Sequence, residues 1–192
     1  MDNGASSYRR FLDGDDYAIG DIIAEYKDGL ILYLNSICNN LNTAEDIAQE
    51  TFVRIAIKQP DFSARSSFKT WLYSIGRHTA VDYIRRHRCF HFISFQECAD
   101  IPDKTNIECE LIRSEQKKLL HKAICSLKDD YRQVLYLSYF EDMSNEEIAD
   151  IMKKKRRQIE NLIYNAKKAL KSVLEKEGFR YEEFGGNDGI CP

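Results

Sequence analysis

A chain of 192 residues holds one mid-sized domain or two small ones, and 43% hydrophobic residues suffice for an ordinary soluble core. Only three prolines and nine glycines interrupt a composition that favours helix, and no apolar run approaches the ~18 residues needed to span a bilayer. The net charge of −3 argues, taken alone, against nucleic-acid binding.

The average conceals the distribution. Residues 1–25 carry six acids (Asp2, Asp13, Asp15, Asp16, Asp21, Glu25) against Arg9 and Arg10. Residues 150–171 carry eight bases (Lys153, Lys154, Lys155, Arg156, Arg157, Lys167, Lys168, Lys171) against Asp150 and Glu160. Basic patches are thus separated by acidic stretches. The start, "MDNGASSYRRFLDGDD", is acidic and polar, neither signal peptide nor anchor, so a cytoplasmic protein without membrane insertion is expected. Six cysteines at irregular spacing, with no CxxC, read as free and mostly structural thiols. The group Cys89, His91 and Cys98 comes nearest to a metal-ligand set, but neither metal nor cofactor is expected.

The pattern predicts an all-α protein of two small helical domains joined by an acidic linker. The first domain spans 1–95. In "TAEDIAQETFVRIAIK", Ala44, Ile47, Ala48, Thr51, Phe52 and Ile55 recur at helical spacing, and Thr43 with Asp46 suits an N-cap. The opposite ridge shows Asp46, Glu50, Val53 and Ile57, with Gln49 beside it. Such a face is either simply solvated or docks on a basic, partly apolar partner.

The polar loop "PDFSARSSF" follows, either an ordinary connection or a cradle for an unpaired base. In "FKTWLYSIGRHTAVDYIRRHR", Phe68, Trp71, Leu72, Ile75 and Thr79 share one stripe at ~100° per residue, while Arg77, Arg85 and Arg88 lie opposite and His78 sits at the boundary. Asp82 falls on the apolar stripe and is expected to pair with an arginine or cap a neighbouring helix.

The linker, 96–112, contains a proline and an acidic excess. The second domain, 113–177, holds "SNEEIADIMKKKRRQIENLIYNAKKALKSVL". Ser144 and Glu147 form a capping box, Ile148, Ala149, Ile151 and Met152 one apolar face, and Ile159, Leu162, Ile163, Ala166 and Leu170 another. Two helices joined by a tight turn, the second basic at its start, make either a DNA-reading helix-turn-helix or a plain basic hairpin. A Gly-rich tail occupies 178–192.

Three motifs carry a resemblance: "TAEDIAQETFVRI" (43–55), "SSFKTWLYSIGRHTAVDYIRR" (66–86) and "LKDDYRQVLYLSYFEDMSNEEIADIM" (127–152) with its following helix. In this order and spacing the chain resembles a bacterial sigma factor of the extracytoplasmic-function group of the sigma-70 family. The resemblance implies a factor that binds core RNA polymerase, at its largest-subunit clamp and its flap, and recognises and melts promoter DNA. Asp46, Gln49, Glu50 and Val53 would bind polymerase. Phe62, Arg65, Ser66, Lys69, Arg77, His78, Arg85 and Arg88 would serve the minus-ten element. Lys154, Lys155, Arg156, Arg157, Gln158, Glu160, Asn161, Tyr164 and Lys168 would serve the minus-thirty-five element. An anti-sigma factor is a further partner the resemblance allows. The family usually carries Asn where His78 stands and Gly near Lys153. Glu160, Asn161, Leu162 and Asn165 replace residues often basic or small. No nucleotide loop, ligand cluster or nucleophile–base pair marks an enzyme. The alternatives are a conventional helix-turn-helix regulator acting without polymerase, and a helical protein-interaction module.

Overall fold

The computed structural model describes residues 3–87, Leu120 and 122–176. Helix α1 (Asn3–Leu12) buries Tyr8 and Phe11. Helix α2 (Ala18–Cys38) is the central element, burying Ile22, Tyr26, Leu30, Tyr33, Leu34 and Ile37, and it ends at left-handed Asn39. Helix α3 (Leu41–Lys58) buries the six residues expected from its spacing. Its N-cap corrects the sequence expectation. Asn40, not Thr43, is the extended capping residue, and its side chain accepts from the Thr43 N–H at 2.9 Å, so the helix begins one turn earlier.

Helix α4 (Phe68–His87) buries Phe68, Leu72 and Thr79 as expected, but Thr70, Tyr73, Gly76 and Ala80 as well, while Trp71 and Ile75 are half-buried. The buried arc is wide because α4 packs against α2 and α3 on one side and against the second domain on another. A Cβ on Gly76 would lie 2.9 Å from Leu30 Cδ1, so the missing side chain lets α4 close on α2. Around the first turn of α4 sits an aromatic cluster. The Phe68 ring lies 5.3–5.7 Å from those of Tyr8, Tyr26, Phe62 and Trp71. The Tyr8 hydroxyl donates to the Pro60 carbonyl at 2.7 Å, and burial, with the Asp61 charge second, pushes its pKa up to about 12.

A helical turn at 122–125 leads into α5 (Asp129–Tyr139), α6 (Asn145–Met152) and α7 (Arg156–Lys176). The capping box is present: Ser144 Oγ accepts from the Glu147 N–H, and Glu147 accepts from the Ser144 N–H. Ile148, Ala149, Ile151 and Met152 are buried, as are Ile159 and Ala166, while Leu162, Ile163 and Leu170 are half-buried. Lys153 closes α6 at φ 54°, a left-handed residue whose N–H reaches the Ala149 carbonyl. The turn geometry that glycine would serve therefore exists here, held by a lysine. The described residues form seven α-helices and no strand, and none of those helices is long and apolar enough to cross a membrane.

The two helical groups pack on one another. α5 lies on α2 and α6 on α4. At their seam the rings of Tyr33, Tyr73 and Tyr136 stack, Tyr33 lying 5.4 Å from Tyr73 and 6.3 Å from Tyr136. A Cβ on Gly29 would lie 2.5 Å from Tyr73 Oη and 2.8 Å from Glu141 Oε1, so a side chain here would force the ends of Tyr73 and Glu141 to shift. Among the described residues the fully buried Tyr33 hydroxyl has no hydrogen-bond partner. An unsatisfied buried hydroxyl is costly, so Tyr33→Phe is expected to raise stability by about 1 kcal/mol in urea denaturation. A loss of stability would show that the hydroxyl is satisfied in solution.

Cys38 is a free thiol, and burial pushes its pKa up to about 12, which makes it unreactive. Cys125 is disulfide-bonded, against the expectation of free thiols throughout. Arg88, the linker, the tail, and Cys89, His91, Cys98, Cys109 and Cys191 lie outside the described residues. Among the described residues no group of three His, Cys, Asp or Glu could hold a metal.

Candidate protein and nucleic-acid interfaces

The outer ridge of α3 carries Asp46, Gln49 and Val53, all exposed, with Glu50 half-exposed and bonded to Arg54 at 2.7 Å. Val53 is 53% and Ile57 76% exposed. Acids and branched apolar side chains on one stripe suit a basic, partly apolar partner better than water.

On α4 and the loop before it the nominated residues fall into three groups. Phe62 is half-buried, its ring 5.3 Å from Trp71 and edge-on to Phe68, so it supports the core cluster rather than standing free. Arg65, His78 and Arg85 are exposed and Ser66 is half-buried. Asp82 lies between His78 (3.5 Å) and Arg85 (3.3 Å), the arginine pairing expected of it. Lys69 and Arg77 are engaged by the second domain. Lys69 Nζ meets Glu141 Oε2 at 2.7 Å, and Arg77 Nε donates to Gln133 Oε1 at 3.2 Å. A cleft of about 340 Å3 is lined by Arg54, Lys58, Pro60, Ser74, Ile75, His78 and Lys153. Its cations suit a phosphate-bearing strand.

Sequence reasoning missed Ser67 and Thr70. Ser67 Oγ accepts from the Thr70 N–H at 3.2 Å, a capping pattern visible as a serine directly before the first helical residue. Both hydroxyls donate to Glu147 Oε1, at 3.0 and 3.1 Å. Burial draws the Glu147 carboxyl's pKa upward, but hydrogen bonds from Ser144, Ser67 and Thr70 outweigh it and hold it below the usual 4.5. A carboxyl with a depressed folded pKa stabilises fully above its unfolded value and loses that contribution as pH falls through the folded one. Thermal melts are therefore expected to drop below about pH 4.5, and Glu147→Gln should flatten that acid limb. An unchanged limb would assign it to other carboxyls.

In the second domain Arg157, Asn161, Tyr164 and Lys168 follow one another by four, three and four residues and are all exposed, making one stripe along α7. Tyr164 is 69% exposed. Around the start of the helix Arg156 is bridged to Glu146 (2.6 Å) and Glu160 (2.9 Å), and Lys154 to Asp130 (3.1 Å). Gln158 accepts from the Lys155 N–H at 2.8 Å and so caps α7 rather than pointing freely outward. Lys155 is exposed beside it. A capped short helix, a tight turn and a second helix with an open basic and amide stripe have the geometry of a major-groove reader.

Residues 22–89 match the family described as Sigma-70 region 2, and residues 117–170 match Sigma-70, region 4. The chain is 30% identical over 161 residues to the RNA polymerase sigma factor YlaC of Bacillus subtilis (strain 168), covering 83% of this chain and 93% of that protein. It is also 30% identical over 175 residues to the ECF RNA polymerase sigma factor SigW of the same organism, covering 84% and 91%. Among solved structures, the fold is similar to the sigma factor RpoE in complex with the anti-sigma factor NepR from Bartonella quintana, with a TM-score of 0.68, 21% identity and coverage of 83% and 98%. It is similar as well to CnrH in complex with the cytosolic domain of CnrY, with a TM-score of 0.63, 20% identity and coverage of 91% and 96%. With both sigma regions in order and full-length relatives at this identity, the chain belongs to the sigma-70 family of RNA polymerase sigma factors, in its extracytoplasmic-function group.

Proposed function

We propose that this sigma factor binds core RNA polymerase through the α3 ridge and directs it to promoters through two separate DNA faces. Asp46, Gln49, Glu50 and Val53 take the largest-subunit clamp. The α4 surface, with Arg65, Ser66, Lys69, Arg77, His78 and Arg85, holds the minus-ten strand, and the cleft bounded by Arg54, Lys58 and His78 lies beside its path. The α7 stripe reads the minus-thirty-five element, with Arg157 and Lys168 on phosphates and Asn161 and Tyr164 nearer the bases. The factor contributes binding and orientation, and the polymerase performs the chemistry. An anti-sigma factor, of the kind seen with the similar RpoE, is its natural antagonist.

One observation carries this reading: a single chain exposes an acid–apolar ridge on one domain and a basic stripe on the other. A regulator that binds duplex DNA alone has use for the second only. The test is transcription in vitro over a library of promoter sequences, with core polymerase and with or without this chain. Transcripts that appear only on its addition, from sites sharing two spaced elements, are expected. Salt-sensitive duplex binding without added transcripts would instead make it a conventional regulator.

A further inference from the structure

We infer that the cleft bounded by α3, α4 and the turn after α6 is a binding site for a small polyphosphate anion, free or carried by a nucleoside.

The cleft gathers nitrogen-bearing side chains from three elements. Arg54 and Lys58 come from the last two turns of α3, His78 from α4, and Lys153 from the turn that closes α6. Among the described residues the lining holds no carboxylate. Cations converging in this way repel one another, and a multivalent anion bound between them turns the repulsion into attraction. Two of the four are this chain's own departures from the family pattern: His78 stands where Asn is usual, and Lys153 near where Gly is usual. They lie far apart in sequence, yet they line one cleft. Lys153 takes a left-handed backbone at φ 54°, so its side chain is kept there against local preference.

These groups are available to a ligand. Among the described residues Lys58 and Lys153 have no ion-pair partner, whereas the neighbouring Lys154 is bridged to Asp130 at 3.1 Å. Arg54 gives Nη2 to Glu50, and the rest of its fork remains. His78 has Nδ1 at 3.5 Å from Asp82, which leaves Nε2. Pro60 and Ile75 add an apolar wall. Ser74 spends its proton on the Trp71 carbonyl (2.7 Å) and so offers only an acceptor. A donor-rich rim beside an apolar wall suits a phosphate chain with a flat ring next to it. The volume of about 340 Å3 lies within the range of small-molecule sites. A DNA strand spreads one charge per phosphate along its length. A di- or triphosphate concentrates several charges at one point, as these side chains do.

The test is calorimetric titration of the full chain, without polymerase, at fixed ionic strength and without divalent cations. The probes are inorganic tripolyphosphate, ATP and a single-stranded minus-ten oligonucleotide. Lys58→Met keeps the stem and removes the charge. Lys153→Asn removes the charge and keeps a residue that accepts the left-handed turn. Lys176→Met removes an exposed cation at the end of α7, outside the cleft. Both polyphosphates are expected to bind at one site per chain. Lys58→Met and Lys153→Asn should each weaken them about tenfold with helical content retained, and Lys176→Met by less than about twofold. Tighter binding of ATP than of tripolyphosphate would assign the apolar wall to the base; equal affinities would assign the site to the phosphate chain alone. Equal weakening by all three variants would show diffuse attraction and overturn the inference, and so would the absence of saturable polyphosphate binding. If only the oligonucleotide binds, and the two cleft variants weaken it, the cleft belongs to the promoter strand and the inference falls.

Discussion

Replacing Asp46 and Glu50 together by lysine is expected to abolish polymerase binding, with affinity falling at least about 100-fold in fluorescence anisotropy. Two reversed charges turn an attractive ridge into a repulsive one, and a hundredfold loss corresponds to about 2.7 kcal/mol. The fold should not notice. Asp46 is exposed, and the Glu50–Arg54 pair it disrupts is a surface i,i+4 bridge worth ~0.3–0.5 kcal/mol. Helical content and melting temperature therefore serve as internal controls. Retained binding with an intact fold would remove the two acids from the polymerase interface and leave exposed Val53 and Ile57 of the same ridge as the place to look.

The second large effect concerns architecture. Phe68 is fully buried and its ring touches those of Tyr8, Tyr26, Phe62 and Trp71, which come from α1, α2, the preceding loop and α4. Phe68→Ala should cost ~3–5 kcal/mol in urea denaturation, since four ring contacts are lost at once and rigid neighbours cannot collapse into the space. Trp71 lies 5.3 Å from Phe68, so its fluorescence reports the event directly. A loss below ~1.5 kcal/mol would mean that the cluster relaxes, and that the loop bearing Arg65 and Ser66 is not held by it.

What was legible in the sequence was local. The α3 burial pattern and the Ser144–Glu147 box follow from spacing within one helix, and both stand as expected. The α3 cap was misplaced because Thr43 and Asn40 are both plausible capping residues, and only the extended backbone of Asn40 decides between them. The width of the buried arc on α4 was not legible. Thr70, Tyr73 and Gly76 are buried by elements distant in sequence, and a helical wheel drawn for one partner cannot show a second. For the same reason Lys69 and Arg77 read as free cations. Their partners Glu141 and Gln133 lie 72 and 56 residues away, beyond any periodicity. Glu147 was visible as a cap, but its second oxygen, committed to α4, was not.

Lys153 joins two demands that pull against each other. Its left-handed backbone costs a non-glycine residue ~1–2 kcal/mol, a cost glycine would not bear, while its side chain lines the cleft between α3 and α4. Exchanging it for glycine would relax the turn and remove a cation from that cleft in one step. At this position a designer cannot gain thermal stability without spending positive potential, and the natural chain has settled on the side of charge.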